Sequence, residues 1–350
     1  MGKRPTMIDI GAMAGVSQAT VSLVLNGVPQ ARVSAATRDR VIAAAEALGY
    51  RMGPRHAPPQ EGPSLVGLLL DEVSTTPFAT PLIEGARDEA AQQGVLVATF
   101  CTRGDPELEQ AALDFLLRNR ARGVIYASLV TREAVPPERL RELPAVLLNC
   151  FDPERRYPSV VPGDLAGGYA ATDALVRAGH RRIAHLAGED WLEASRAREA
   201  GYRQALATAD IPVDPELVQR GGWTVSGGRE LTLRLLDAPD PPTAIFCFND
   251  RMAMGAYDAV HSRGLRVPED VSVVGFDDEE LAAYLSPPLT TVVLPHDEMA
   301  RWAVAALLDT DEARRAWPRP LKIECPLVPR GSVARPRARA ALRHQEAARS

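Results

Sequence analysis

The stretch from Thr6 to Asn26 constrains this chain more than any other, because it reads as two short helices joined by a single glycine turn. Thr6 with Asp9 three residues on has the form of a capping box, which predicts a helix beginning at about Met7. Ile10, Met13 and Ala14 recur at helical spacing on one side, and Gly15 supplies the backbone freedom for a sharp turn. Ser17 is placed to cap a second helix, in which Val21, Val24 and Leu25 face inward while Gln18, Ala19, Ser22, Leu23 and Asn26 project outward or toward the flanks. A third helix is predicted from Ser34 to Gly49. Short hydroxyl and amide side chains beside a helix N-terminus can reach phosphate oxygens and base edges without holding the helix off the floor of a DNA major groove. The candidate DNA contacts are therefore Thr6, Ser17, Gln18, Ala19, Thr20, Ser22, Leu23 and Asn26, with Arg51 and Arg55 beyond them. A module of three short helices that binds another protein would show a similar pattern.

Charge separates these readings. Residues 1–60 hold seven basic side chains (Lys3, Arg4, Arg32, Arg38, Arg40, Arg51 and Arg55) against three acidic ones (Asp9, Asp39 and Glu46), a surplus of four. The whole chain has 40 basic and 45 acidic residues, so the remainder carries 33 against 42. A basic head on an acidic body points to a local polyanion partner, since only the head gains by releasing counterions from a DNA backbone.

Ala14-Gly15-Val16-Ser17, Ala19-Thr20-Val21-Ser22, Val24-Leu25-Asn26, Thr37-Arg38-Asp39-Arg40-Val41 and Leu48-Gly49-Tyr50 together resemble the DNA-binding domain of the lactose-repressor (LacI/GalR) family of bacterial transcription regulators. The resemblance continues to about residue 332. Two departures stand out. Leu23 occupies a position where the family usually has an arginine that reaches base edges; leucine offers only apolar contact, such as with a thymine methyl, so the base preference should differ there. The second is the segment Arg51 to Pro63, where the family has a hinge helix with a leucine that wedges into the minor groove. Here four prolines and two glycines fill thirteen residues and no leucine is present. An interior proline costs a helix about 3 kcal/mol, so the segment reads as mainly a linker, with Arg51 and Arg55 near phosphates.

The body is α/β. Continuous apolar runs at Leu65–Leu70, Val95–Phe100, Val124–Ala127, Ala145–Leu148, Ile183–Leu186, Ala244–Phe248 and Val271–Phe276 alternate with helical stretches. Such runs suit strands buried on both faces, and their alternation with helices implies parallel sheets with right-handed crossovers. An irregular acidic stretch around Pro158–Asp164 suggests a division into two subdomains, with a cleft at the carboxyl ends of the strands. The resemblance implies a periplasmic-binding-protein-like core. The predicted organisation is a helix-turn-helix head over 1–50, a Pro/Gly-rich hinge or linker over 51–63 and an effector-binding core over 64–332. Within the core, subdomain one takes about 63–160 and 291–320, and subdomain two about 161–290 and 321–330. A basic tail over 333–350, with five arginines against Glu346, is expected to be a solvated, disordered terminus.

Asn249 and Asp277 follow apolar runs where strands end at a cleft rim, and their paired donors or acceptors suit the vicinal hydroxyls of a sugar or a ribose. The resemblance adds Arg198, in Arg198-Glu199-Ala200-Gly201-Tyr202, as an arginine reaching into the cleft, and Trp223 and Phe78 at positions often aromatic and near the ligand. Asn149 is a further candidate. Other roles stay open: Asp277 and Asp278 as caps of a following helix, Arg198 paired with Glu193 or Glu199 on a solvated face, Trp223 as core, and Asp164 as a cap near the cleft.

Catalysis has no visible chemistry in the sequence. The histidines are scattered, the cysteines lie far apart, and no dinucleotide fingerprint, phosphate-cradling loop or Gly-x-Ser-x-Gly elbow occurs. Neither a metal nor a cofactor is expected. A solute-binding protein of the same core fold would need an apolar leader where the helix-turn-helix stands. The expected protein is a cytoplasmic homodimer that binds a near-palindromic operator and responds to a small molecule, a sugar or related polyol.

Overall fold

A computed structural model of the chain describes residues 5–25, 33–48, 64–72, 78–309 and 319–337. The chain divides into two units, residues 1–63 and 64–350.

In the first unit, α1 spans Met7–Ala14, α2 Gln18–Leu25 and α3 Ala35–Ala47. Thr6 and Asp9 form the reciprocal cap: the Thr6 amide donates to Asp9 Oδ2 at 2.7 Å, and the Asp9 amide donates to Thr6 Oγ1 at 3.4 Å. Gly15 ends α1 at φ 67°, a left-handed conformation that a side chain disfavours, and α2 leaves at 102° to α1. That angle is in the range of helix-turn-helix pairs. Ser17 and Ser34 cap α2 and α3, accepting from the amides of Thr20 at 3.1 Å and Thr37 at 3.2 Å. Ile10, Val21 and Val41 are fully buried in the core the three helices share. Met13, expected on the inner side, is 57% exposed. The buried arc of α1 runs through Ile10, Gly11 and Ala14, and at about 100° per residue Met13 falls off its edge. Gly49, Asn26, Arg51, Arg55 and the whole segment 51–63 lie outside the described residues.

The second unit contains β1 (Ser64–Leu70), β2 (Val95–Cys101), β3 (Gly123–Glu133), β4 (Ala145–Phe151), β5 (Ser159–Pro162), β6 (Ile183–Ala187), β7 (Val218–Arg220), β8 (Ala244–Cys247), β9 (Ser272–Val274), β10 (Thr291–Val292), β11 (Leu321–Ile323) and β12 (Leu327–Val328). One parallel sheet has the order β11-β5-β4-β3-β1-β2, and a second has the order β7-β6-β8-β9. Around the first sheet, α4 (Ala79–Gln92) and α11 (His296–Leu308) bury one set of apolar side chains, and α5 (Pro106–Arg118) buries another. Around the second, α6 (Asp164–Arg177) and α7 (Glu193–Thr208) pack in one cluster, while α8 (Val225–Leu236) and α9 (Asp250–Ser262) pack in another. Helices on both faces are why the strands read as unbroken apolar runs.

Several boundaries differ from the sequence reading. Ser159–Pro162, within the stretch read as irregular, is a buried strand completing the first sheet. Residues 321–330 do not belong wholly to the second lobe. Leu321–Ile323 pairs with β5, where it covers an otherwise open sheet edge and packs Leu321 and Ile323 on the first core. Conversely residues 291–293, assigned to subdomain one, lie with the second lobe: the Asp277 amide donates to the Val292 carbonyl (2.7 Å), next to the bond from the Gly275 amide to the Thr290 carbonyl (2.9 Å). β10 also pairs antiparallel with β12. The beginning of the expected disordered tail is docked. His180 Nε2 bonds the Ala334 carbonyl at 2.9 Å, the Ala334 amide donates to Ser272 Oγ at 3.1 Å, and Arg337 pairs with Asp270 at 3.0 Å. Residues 338–350 lie outside the described residues.

Candidate DNA interface and effector cleft

In the head, the inward set of α2 is Val21, Val24 and Leu25, all buried. Ser17, Gln18 and Ala19 are exposed, Thr20 and Ser22 half-buried, and Leu23 is 40% exposed. The Ser17 and Thr20 hydroxyls lie 2.9 Å apart at the start of the helix. No acidic side chain stands in the first turn of α2, so the positive end of its dipole faces outward unopposed by its own residues. Thr6 is committed to its cap, where its hydroxyl also donates to Asp9 Oδ2.

In the body, all six residues singled out for the effector line one cavity of about 840 Å³: Phe78, Asn149, Arg198, Trp223, Asn249 and Asp277. Its walls come from both lobes. β3 and β4 and the start of α4 contribute from one, and α7, α8 and the β8–α9 junction from the other.

Arg198 is the most constrained of the six. Gly168 on α6 and Gly201 on α7 let the two helices touch backbone to backbone; a Cβ on Gly201 would run into the Leu165 carbonyl, and one on Gly168 into the Arg198 carbonyl. This close approach sets Arg198 beside Asp164, at the first turn of α6. Arg198 Nε donates to Asp164 Oδ1 at 2.8 Å, Nη1 donates to the Phe248 carbonyl at 2.6 Å, and Asp277 Oδ1 lies 3.4 Å from Nη1. The guanidinium is sandwiched between the rings of Phe276 (3.5 Å to the centroid) and Phe248 (4.6 Å). Burial would favour a neutral arginine, yet the carboxylates of Asp164 and Asp277 outweigh it and hold Arg198 charged. The pairing with Glu193 or Glu199 on a solvated face is not what the residue does, and Asp164 serves as its partner rather than as a cap.

The Asp277 side chain is itself buried, 5% exposed, and its backbone stands at φ 110°, a conformation that a non-glycine residue rarely adopts. Burial pushes its carboxyl well above the usual range; the attraction of Arg198 offsets this only in part, and Asp250, Glu279 and Asp164 add repulsion. Neither Asp277 nor Asp278 caps α10 (Glu280–Tyr284), whose N-cap is Glu279; Asp278 pairs with Arg330 at 2.6 Å. Asn149 also has positive φ, 56°, and its Oδ1 accepts from Thr131 Oγ1 at 2.7 Å. Asp277 Oδ2, Arg198 Nη2 and Asn149 Nδ2 have no partner among the described residues, so an acceptor and two donors remain for a bound molecule.

Asn249 differs. Its Oδ1 accepts from the Met252 amide at 2.8 Å and its Nδ2 donates to the Trp223 carbonyl at 3.0 Å. Both ends hold the protein, fixing the start of α9 and the loop that presents Trp223. Trp223 is 38% exposed and is not core. Phe78 is half-buried, edge-on to His296 at 6.1 Å, with Arg251 over its face at 5.9 Å.

Sequence reasoning passed over Thr131, Phe248 and Arg251, which also line the cavity. Phe248 and Arg251 flank Asn249-Asp250 and could have been found from that position. Thr131 could not: it lies beyond the apolar run of β3, where the register with β4 shifts between Ala127 and Arg132. Among the described residues no group of three His, Cys, Asp or Glu side chains is placed to hold a metal ion, and no single helix is long and apolar enough to cross a membrane.

Residues 6–52 match the family described as bacterial regulatory proteins, lacI family, and residues 172–333 match the periplasmic binding protein-like domain. The chain is 35% identical to the HTH-type transcriptional repressor CytR of Escherichia coli (strain K12) over 329 residues, 94% of this chain and 96% of that one. Among solved structures, a transcriptional regulator CelR–cellobiose complex is 31% identical, with a TM-score of 0.65 over 94% of this chain and all of that one. The lac repressor dimer bound to operator and the anti-inducer ONPF is 28% identical, with a TM-score of 0.68 over 95% of this chain and all of that one.

Proposed function

Because this chain belongs to the lacI family of bacterial regulatory proteins, whose members are DNA-binding transcriptional regulators rather than enzymes, we propose a division of labour between its two units. It is a DNA-binding repressor whose operator affinity answers to a small molecule in the body. Gln18, Ala19, Ser22 and Leu23 read base edges in the major groove, while Ser17 and Thr20 at the start of α2 bond phosphates. Asn26, Arg51 and Arg55 extend this surface. Two chains associate through the body, the similar lac repressor being a dimer on its operator, and place two heads on a near-palindromic operator in the cytoplasm.

The effector is a polyhydroxylated ring. The observation that carries this reading is the unpartnered set in the cavity: Asp277 Oδ2 accepts, Arg198 Nη2 and Asn149 Nδ2 donate, and Phe78 and Trp223 offer flat apolar faces. Vicinal hydroxyls need that mixture at their edge and an aromatic ring across their C–H face. A solute-binding protein of the same core has no use for an exposed α2 of this composition.

From the sequence alone, the prolines of segment 51–63, which lies outside the described residues, oppose helical turns, so the proposed coupling does not require a helix there to fold on DNA. Hydrogen exchange of residues 52–60 on operator binding checks this; strong protection there contradicts it. For the effector, a thermal-shift panel of sugars and nucleosides on the full chain is the test. A ligand at 100 times its Kd adds about 2.7 kcal/mol to stability, and Arg198→Ala should abolish that gain. If no polyol shifts the transition, the reading of the cavity is wrong.

A further inference from the structure

The body is acidic as a whole, with 33 basic against 42 acidic residues over 61–350, and that sum hides one edge of opposite character. The strands of the first sheet run parallel, so the residues leading into them share one edge, while the residues near their carboxyl ends, among them Thr131 and Asn149 of the cavity, lie toward the other. The leading edge is where the chain enters the body, at Ser64 of β1. Between α5 and β3 this edge carries the run Arg118-Asn119-Arg120-Ala121-Arg122, and all three arginines are exposed. The Arg122 amide donates to the Leu65 carbonyl at 2.7 Å, so the run lies directly against the entering strand.

The fold gives these three side chains no task. Among the described residues none of their guanidinium groups has a hydrogen bond or an acidic partner. Arg139, in the segment leading into β4, is by contrast paired with Asp114 at 2.7 Å. Arg118 stands in the last turn of α5, where the negative pole of the helix favours a cation. Arg120 and Arg122 lie past it. Arg120 stands at φ 52°, in the left-handed turn that α4, α6 and α9 make through Gly94, Gly179 and Gly264. Glycine suits that backbone better, so neither the helix nor the turn calls for an arginine there.

We propose that Arg118, Arg120 and Arg122 form a second DNA-binding surface, on the body, which holds backbone phosphates and reads no sequence. Its partner is the duplex that the head engages, so the inference rests on the DNA-binding reading of the head and adds a contact outside it. An exposed arginine–phosphate pair is weak when two molecules must meet to form it. Here the 16 steps of chain from Leu48 to Ser64 span at most about 55 Å. The chain itself therefore tethers this edge to a DNA-bound head, which makes the contact intramolecular and raises its effective concentration. Each phosphate engaged releases counterions and adds affinity without base preference.

The test is fluorescence anisotropy of the full chain on duplexes of roughly 40 base pairs, one selected by the chain from a random pool and one unselected, between about 50 and 200 mM salt. The triple variant Arg118→Gln, Arg120→Gln, Arg122→Gln should bind both duplexes more weakly by a similar factor, about tenfold at the lower salt, and its slope of log affinity against log salt should be shallower by about 0.9 for each arginine engaged. Arg103→Gln removes an exposed arginine without a partner among the described residues just beyond β2, at the opposite edge, and should leave the slope where it is. Arg120→Gly should weaken DNA binding as much as Arg120→Gln while melting no lower than the parent; a purely structural role would leave affinity alone. An unchanged slope in the triple variant, or an equal effect from Arg103→Gln and Arg120→Gln, overturns the second surface and leaves the reading of the head standing. If the parent binds neither duplex, the reading of the head falls and takes the inference with it.

Discussion

In the proposed function, the exposed face of α2 and the floor of the cavity recognise their partners in opposite ways. On α2, Gln18, Ala19 and Leu23 are small or uncharged, exposed, and backed by an apolar core of Ile10, Val21 and Val41 that they do not touch chemically. In the cavity, Arg198 is charged, its side chain and that of Asp277 are almost wholly buried, and the guanidinium is locked to Asp164, Phe248 and Phe276. A DNA groove is a surface that comes to the protein with its own water and charge, so the reading residues can be expendable to the fold. A polyol must be drawn from water into a pocket, so its contacts have to be fixed beforehand by interactions that also hold the fold together. Recognition and stability are therefore separable in the head and inseparable in the body.

Arg198→Ala should strain that contrast hardest. It strands two buried carboxylates, and the loss of one member of a buried ion pair typically costs about 3–5 kcal/mol; chemical denaturation of the full chain should show a body transition weakened by that order along with lost effector binding. Lost binding with an unchanged transition would mean that the arginine is as separable as a head residue.

His185 probes the same coupling through pH. It is fully buried, stacked on Phe246 (4.6 Å) and Tyr202 (5.2 Å), and burial holds its ring down at about 4. The unfolded chain binds a proton at about 6.5 that the folded chain refuses, so this residue's contribution is intact above that pH and is lost as pH falls from 6.5 toward 4, by about 3 kcal/mol. Asp250 works in the other direction: burial raises its carboxyl to about 7, so its contribution is present in acid and fades as pH rises toward 7. Hence the useful readout is a difference. Relative to the parent, His185→Phe should gain about 3 kcal/mol between pH 7 and pH 4, followed by urea denaturation at each pH. A constant gap across that range would show that the residue is not held neutral.

The head should behave the other way. Gln18→Ala should leave stability within about 0.5 kcal/mol yet weaken operator binding by about 1–3 kcal/mol, read by fluorescence anisotropy beside a thermal scan. A comparable fall in both would show that the reading surface also supports the fold. Smallest, Thr6→Ala removes the cap of α1 and should cost about 1 kcal/mol of head stability, seen by circular dichroism.

Much of this was legible because it is local. The cap at Thr6, the turn at Gly15 and the inward residues of α2 follow from spacing within one or two turns, and the strands buried on both faces announce themselves as apolar runs. A four-residue strand such as Ser159–Pro162 carries too little pattern to be seen, and although a final strand was expected near residues 322–329, nothing in its sequence says that Leu321–Ile323 joins the edge of the first sheet. The six cavity residues were visible as types at strand ends or through family resemblance. Their roles were not: the partnership of Arg198 with Asp164 spans 34 residues, and the engagement of both ends of Asn249 depends on where Trp223 and Met252 fall. Charge misled at the tail, where Arg337 reads as a solvated terminus and instead pairs with Asp270.

The central claim is that occupancy of the cavity and seating of the heads on DNA are one linked equilibrium. The direct measurement is operator affinity of the full chain with and without a saturating polyol found by the panel, together with affinity for that polyol with and without operator. The two factors must be equal and must differ from one, typically by 5- to 150-fold. Tight binding of both partners with a factor of one would mean that the cavity does not govern the DNA.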